Sequence, residues 1–193
     1  MTATVVVQEG NGSPVTWTTI SQGRYCTMDS NNPGDLNPCV IPTSNFNYSF
    51  WKHHRLYISG SFTKINNIRW FTSGNVATNW NLGTNGMLMV GLRDTPTLGH
   101  GCPAGSYQVA VGTVGTTGTS FMDGTSGHAY YKGQSASPGN ADSYTTSAAL
   151  TIDSNDYTAE GGTYSVVTQA KIATNATQGD KPNETFTFRY DEI

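Results

Sequence analysis

Four histidines, at positions 53, 54, 100 and 128, are the side chains that could shuttle protons near neutral pH. Ser126 stands two residues before His128, in Thr125-Ser126-Gly127-His128. A serine beside a histidine is the start of a nucleophile–base pair, but that chemistry also needs an orienting third group and a turn that presents the serine. This stretch is Gly-rich loop sequence with no G-x-S-x-G elbow, so adjacency is all it offers. Glycoside hydrolysis needs two carboxylates opposed across a cleft. Of the 13 acidic residues, only Glu184 and Glu192 flank a well-marked strand, and the rest sit in polar turns or near the C-terminus. No catalytic residue is assigned, and the expectation is a protein that is not an enzyme.

Metal chemistry fares no better. Asp29-Ser30-Asn31-Asn32-Pro33-Gly34-Asp35 begins like a calcium loop, with oxygen ligands at the first and third positions. Pro33 at the fifth position and the lack of a closing Glu break the pattern. Asp153-Ser154-Asn155-Asp156 is similarly rich in oxygen, and both clusters read as turn formers. The cysteines, Cys26, Cys39 and Cys102, match neither a zinc spacing nor a CxxC redox motif. His100-Gly101-Cys102 lacks further ligands. Cys26 and Cys39 bracket a Pro- and Gly-containing loop, where a disulfide is sterically conceivable; reduced thiols are expected in a cytoplasm. No metal or cofactor is expected.

Glycan recognition is the strongest binding chemistry legible in the residues. Exposed Trp and Tyr can stack on sugar rings beside Asn and Asp hydrogen-bonders. The candidates are Trp51, Trp70, Trp80, Tyr130 and Tyr131, with Asn75, Asn79 and Asn81 close to Trp80. A β-rich protein of this size also needs aromatics in its core, and Trp17 and Trp70 are assigned to packing. Trp80, in Thr78-Asn79-Trp80-Asn81, is expected to be exposed. Sequons at Asn11, Asn47, Asn175 and Asn183 are no more frequent than this composition produces by chance.

The elements that would hold these residues are strands. Residues 4–8, 15–20, 46–51, 55–62, 65–71, 87–92, 107–114, 150–152, 164–172 and 185–190 are β-branched, aromatic or alternating, and turn-rich loops separate them. The 87–92 run is apolar enough to be buried on both faces, and the 164–172 strand carries one slip in its alternation. The last two strands, joined by a polar turn over residues 174–183, form the best hairpin candidate. No segment shows the apolar spacing of a helix of ordinary length. The reading is a single all-β domain over residues 1–193, a β-sandwich of jelly-roll or Greek-key type, with long loops at about 21–44 and 115–140.

Composition agrees. The chain holds 193 residues, 22 of them Gly, and is rich in Thr, Ser and Asn, while only 12% of it is charged. A net charge of -3 with no Lys/Arg cluster argues against nucleic acid as a partner. The longest apolar run, Met87 to Leu92, is far too short to span a bilayer as a helix, so no membrane partner is expected. The first residues, Met1 to Glu9, lack the basic and apolar regions of a signal peptide, and synthesis in a host cytoplasm is the expectation.

Two segments carry a resemblance. They are Leu56-Tyr57-Ile58-Ser59-Gly60-Ser61-Phe62-Thr63-Lys64-Ile65-Asn66-Asn67-Ile68-Arg69-Trp70-Phe71, and the C-terminal Glu184-Thr185-Phe186-Thr187-Phe188-Arg189-Tyr190-Asp191-Glu192. Together with the overall composition, they resemble virion structural proteins of tailed bacteriophages, above all small head decoration (cement) proteins and, next, tail- or fibre-associated ones. The resemblance implies an oligomer, often a trimer, that binds the outer surface of a capsid shell. Its partners would be the major capsid protein or other virion proteins, and its location the virion. No interface residue carries over.

Overall fold

Val5, Val6 and Val7 open a nine-residue strand, and the same β-branched and aromatic patterning sets the strands that follow it. In chain order these are β1 (Ala3–Asn11), β2 (Thr16–Thr19), β3 (Phe46–Tyr48), β4 (Lys52–Gly60) and β5 (Ile65–Phe71). A one-turn helix α1 (Val76–Asn79) precedes β6 (Met87–Gly91), β7 (Gly112–Thr113), β8 (Thr117–Gly118) and β9 (Gly139–Asn140). The chain ends with β10 (Leu150–Asp153), β11 (Gly161–Ala173) and β12 (Thr187–Glu192). The computed structural model describes residues 2–92, 109–119 and 139–193. Tyr130 and Tyr131, Cys102, His100 and His128 lie outside them.

The protein is all-β, and every strand pair among the described residues is antiparallel. The larger sheet runs β2-β1-β4-β11-β6-β9, with β3 also paired to β11; the smaller runs β10-β5-β12; β7 and β8 form a separate ribbon. The larger sheet's edges are the short strands β2 and β9, which limits the unpaired backbone available for edge-to-edge association.

Strand side chains alternate between faces, so the register decides what each face carries. Val5, Val7 and Glu9 of β1 stand opposite Ile58, Leu56 and His54 of β4. Val166 and Thr168 of β11 continue those rows beside His54 and Lys52. On this inner face Leu56, Leu88, Val90, Val166, Ala170 and Ile172 meet Ile68, Trp70 and Ile152 of the smaller sheet, closing a sandwich core. Fully burying an aliphatic side chain of this kind contributes roughly 1.5–3 kcal/mol. The outer face carries a second cluster of Phe50, Trp51, Met89, Ala110 and Val167. Strand β6 is therefore buried on both sides, as its continuous apolar run predicts.

Asparagine supplies much of the backbone bending. Asn37, Asn45, Asn67, Asn81 and Asn85 all take left-handed φ between 45 and 62°, a region where its short polar side chain is tolerated. Asn67 does this inside β5, so Ile65 and Ile68, three residues apart, are both fully buried. β11 is irregular at its start, with a register shift between Gly162 and Ser165, whereas its pairing from Ser165 to Lys171 is continuous, so the slip expected within the 164–172 alternation is not there.

The expected terminal hairpin is not formed. β11 lies in the larger sheet, whereas β12 pairs with β5 in the smaller one. Residues 174–186 cross between the sheets. Phe186 brings its ring to 5.6 Å from Trp70 and Phe188 packs on the same core, burial that pairing with β11 would not provide. Segments 56–60 and 65–71 separate in the same way, β4 to one sheet and β5 to the other. The 46–51 run leaves the sheet after Tyr48, and only Gly112–Thr113 of the 107–114 run is strand among its described residues.

Candidate functional site

Residues 21–44 hold no regular strand or helix and form a strap across the inner face of the larger sheet. Its apolar contacts come from Tyr25, Cys39 and Ile41, which pack on the sandwich core. The Tyr25 ring lies 5.4 Å from Trp80 and 6.2 Å, edge-on, from Phe186. The Tyr25 and Thr168 hydroxyls are 2.6 Å apart. Burial, with the nearby Glu9 charge adding to it, pushes the Tyr25 phenol well above its ordinary range.

Beneath the strap sits a buried charge cluster on β1 and β4. Glu9, Lys52 and His54 are 0%, 1% and 6% exposed. Lys52 Nζ donates to Glu9 Oε1 at 2.8 Å and to the strap carbonyl of Ser30 at 2.7 Å. His54 Nε2 lies 3.2 Å from Glu9 Oε2, and a carboxylate can only accept there. Asn11 Nδ2 donates to Glu9 Oε1 and to Asp29 Oδ1, while the Gly12 amide donates to Asp29 Oδ2. Burial works to raise the Glu9 pKa. The His54 hydrogen bond and the Lys52 charge outweigh it and hold the carboxyl below its ordinary value. Lys52 occupies the place a cation would take between a carboxylate and a backbone carbonyl. The cluster pins the strap to the sheet and is closed to substrate.

The strap's outer side is different. Among the described residues the exposed large aliphatics are Leu36 (65%), Val40 (42%), Val111 (42%), Val114 (59%) and Ile193 (66%). Leu36 and Val40 belong to the strap and Val111 and Val114 flank β7, and the strap meets the β7–β8 ribbon at a seam where Gly115 lies against Thr27 and Asn37. The Gly115 amide donates to Thr27 Oγ1 at 2.9 Å, and Thr117 Oγ1 accepts from the Tyr48 amide at 2.9 Å. Gly112 and Gly118 allow the ribbon to lie this close. A Cβ on Gly112 would come 2.4 Å from Phe50 Cε1, and one on Gly118 would come 2.4 Å from the Ser49 carbonyl. The Arg24–Asp35 ion pair, 2.6 Å and solvent-exposed, also lies on the strap.

Trp80 is not the exposed platform its loop-like sequence suggests. It is 9% exposed, held between Tyr25 and Phe186, and its indole N–H donates to the Pro182 carbonyl at 2.9 Å. The reason is tertiary: α1 turns the ring inward, and the 174–186 connection and the strap close over it. Asn81 lines an open polar depression of about 500 Å³ with Thr78, Thr84 and Asn175. Trp70 is buried, as its assignment to packing expects, and Trp51, a stacking candidate from the sequence, is buried too. Trp17 is half-buried, lying over Gly10 with the Arg55 guanidinium 4.0 Å from its ring centre.

The acidic clusters behave as turn and tie residues. Asp153 accepts from the Asn155 amide and from the Tyr157 hydroxyl, and Asp156 accepts from Asn66. Glu184 receives Ser73 and Asn79, Glu192 receives the Ala3 amide, and the two glutamates do not face one cleft. Among the described residues no group of three or more His, Cys, Asp and Glu is placed to hold a metal. No described helix is long and apolar enough to cross a membrane. Comparison with known proteins finds no matching family model, no matching curated protein and no matching solved structure.

The buried triad and the exposed seam were both missed in the sequence. Glu9, Lys52 and His54 alternate correctly with their strand neighbours, and a charged residue at an inward position of a strand is the one signal that could have revealed them.

Proposed function

We propose that this is a non-enzymatic virion structural protein that binds and stabilises an assembled phage capsid, as a decoration (cement) protein acting as a trimer. The partner is the major capsid protein or another virion protein, and a tail- or fibre-associated position is the variant of the same reading. The observation that supports it is the exposed aliphatic seam carried on a strap that buried charges pin in place. A surface of Leu, Val, Thr and Asn, with Arg24 and Asp35 neutralising each other, can dock with little side-chain ordering cost. A subunit that binds the assembled shell and not its dissociated parts stabilises that shell by mass action, by about 2.7 kcal/mol at a hundredfold excess over Kd. A jelly-roll or Greek-key sandwich is the architecture the reading implies.

The test is solution mass by light scattering, followed by co-sedimentation with intact shells and with isolated tails. A trimer that pellets with shells and raises their melting temperature supports decoration, and pelleting with tails alone moves the protein there. A monomer indifferent to both overturns the reading and turns attention to glycan arrays. There, the depression beside Asn81 and the half-buried Trp17 replace Trp80 as the residues to vary.

A further inference from the structure

Cys26 and Cys39 stand on the two arms of the strap, and both thiols are free. The arms are tied directly between them. The Thr27 amide donates to the Asn37 carbonyl at 2.8 Å, and Thr27 Oγ1 donates to the same carbonyl at 3.0 Å and reaches that of Pro38 at 3.4 Å. Cys26 directly precedes Thr27 and Cys39 directly follows Pro38, so the cysteines are next in line on either side of this tie. Cys26 is fully buried, its Sγ 3.4 Å from the Met28 carbonyl, while Cys39 is half-buried against the core.

We propose that Cys26 and Cys39 form an intramolecular disulfide when the folded protein meets a disulfide oxidant, cross-linking the base of the strap loop that carries Asp29, Ser30 and Leu36. The inference does not rest on the virion reading. With glutathione disulfide the exchange balances. The Cys39 thiolate attacks one glutathione sulfur and expels glutathione thiolate. The Cys26 thiolate then attacks the Cys39 sulfur and expels the second. Two protein thiols are oxidised, one glutathione disulfide is reduced to two glutathiones, and the two thiol protons pass to the departing thiolates. Cys39 takes the first step because it is the more accessible. Burial, reinforced by the neighbouring Cys26, pushes its thiol up to about 12, so exchange is slow near neutrality and faster in mild alkali. The effect of closure falls on the strap: a cross-link around its loop restrains the unfolded chain more than the folded one.

The experiment uses the whole chain, purified under reductant and then incubated with glutathione disulfide in mild alkali without denaturant. The expected product is a chain lighter by two hydrogens with no cross-link to a second chain, with Cys102 as its remaining alkylatable thiol and a mapped Cys26–Cys39 peptide. Its melting temperature should rise by about 6–12 °C and return on adding reductant. Persistence of both thiols, or products limited to glutathione adducts and intermolecular dimers, would overturn the proposal. So would an intramolecular bond that leaves the melting temperature unchanged or lowers it. Cys39→Ser, at the half-buried position, serves as the fold-preserving control and should show neither the mass loss nor the rise.

Discussion

Replacing Lys52 with Met keeps an unbranched side chain, one atom shorter, and removes its charge from beneath the strap. Two bonds disappear, the 2.8 Å contact to Glu9 and the 2.7 Å contact to the Ser30 carbonyl. Glu9, fully buried, is left with His54 and Asn11 as partners. Removing one member of a buried ion pair costs about 3–5 kcal/mol, because the remaining charge stays desolvated without its counter-charge. At roughly 2–4 °C per kcal/mol for a chain of this size, the melting temperature should fall by about 6–20 °C. Urea unfolding followed by tryptophan fluorescence measures the change directly, with the midpoint shifting at constant slope. The pH dependence supplies a second reading. The folded Glu9 carboxyl lies below its ordinary 4.5, so the cluster's contribution is fully present above that value and is lost as pH falls through the folded pKa. The gap between wild type and Lys52→Met should therefore be widest at neutral pH and shrink in acid. Arg24→Ala is the control, since the Arg24–Asp35 pair is shorter at 2.6 Å but solvent-screened, and its loss should barely move the midpoint. A Lys52→Met shift no larger than that of Arg24→Ala would refute the assignment of the cluster as the strap's anchor.

Other outcomes follow from single contacts. Trp80→Ala should cost about 3–5 kcal/mol in urea unfolding, because it opens a cavity beside Tyr25 and Phe186; near-wild-type stability would contradict its place in the core. On the proposed decoration reading, Leu36→Asp and Val114→Asp should abolish co-sedimentation with shells while holding stability within about 0.5 kcal/mol, as exposed substitutions do; wild-type binding retained by both would exclude the seam as the contact. Gly86→Ala should be more damaging than Gly162→Ala. The first Cβ meets the Leu82 carbonyl oxygen at 2.1 Å, which is backbone, and the second meets the Arg55 guanidinium at 2.3 Å, the movable end of a side chain. Thermal melts of the two variants order them, and equal melting temperatures would contradict the argument.

The strands were largely legible because their signal is local. β5 coincides with the 65–71 run, and the apolar 87–91 segment is a strand buried on both faces. The interruption of the apolar series in β11 is Thr168, a buried polar residue in unbroken register, and the actual shift at Gly162–Ser165 left no such signal. The excess of Asn and Gly in the linkers likewise became left-handed turns at Asn37, Asn45 and Asn81. Each of these depends on neighbours a few residues apart, which is the range over which alternation and turn chemistry act.

The candidate site was much less legible. Trp80 reads as exposed in Thr-Asn-Trp-Asn, and only the strap and the 174–186 connection, both distant in sequence, bury it. The hairpin expected at the C-terminus dissolved for the same reason, since Phe186 and Phe188 gain more from the core around Trp70 than β12 could gain beside β11. By itself the sequence determined an all-β chain of low charge, its strand positions and its turn residues. Tertiary structure alone decided which strands pair, which aromatics are sealed and where Glu9, Lys52 and His54 meet. Those outcomes hinge on residues 43 to 143 positions apart, whose contacts repay loop-closure entropy only once the whole sandwich has formed.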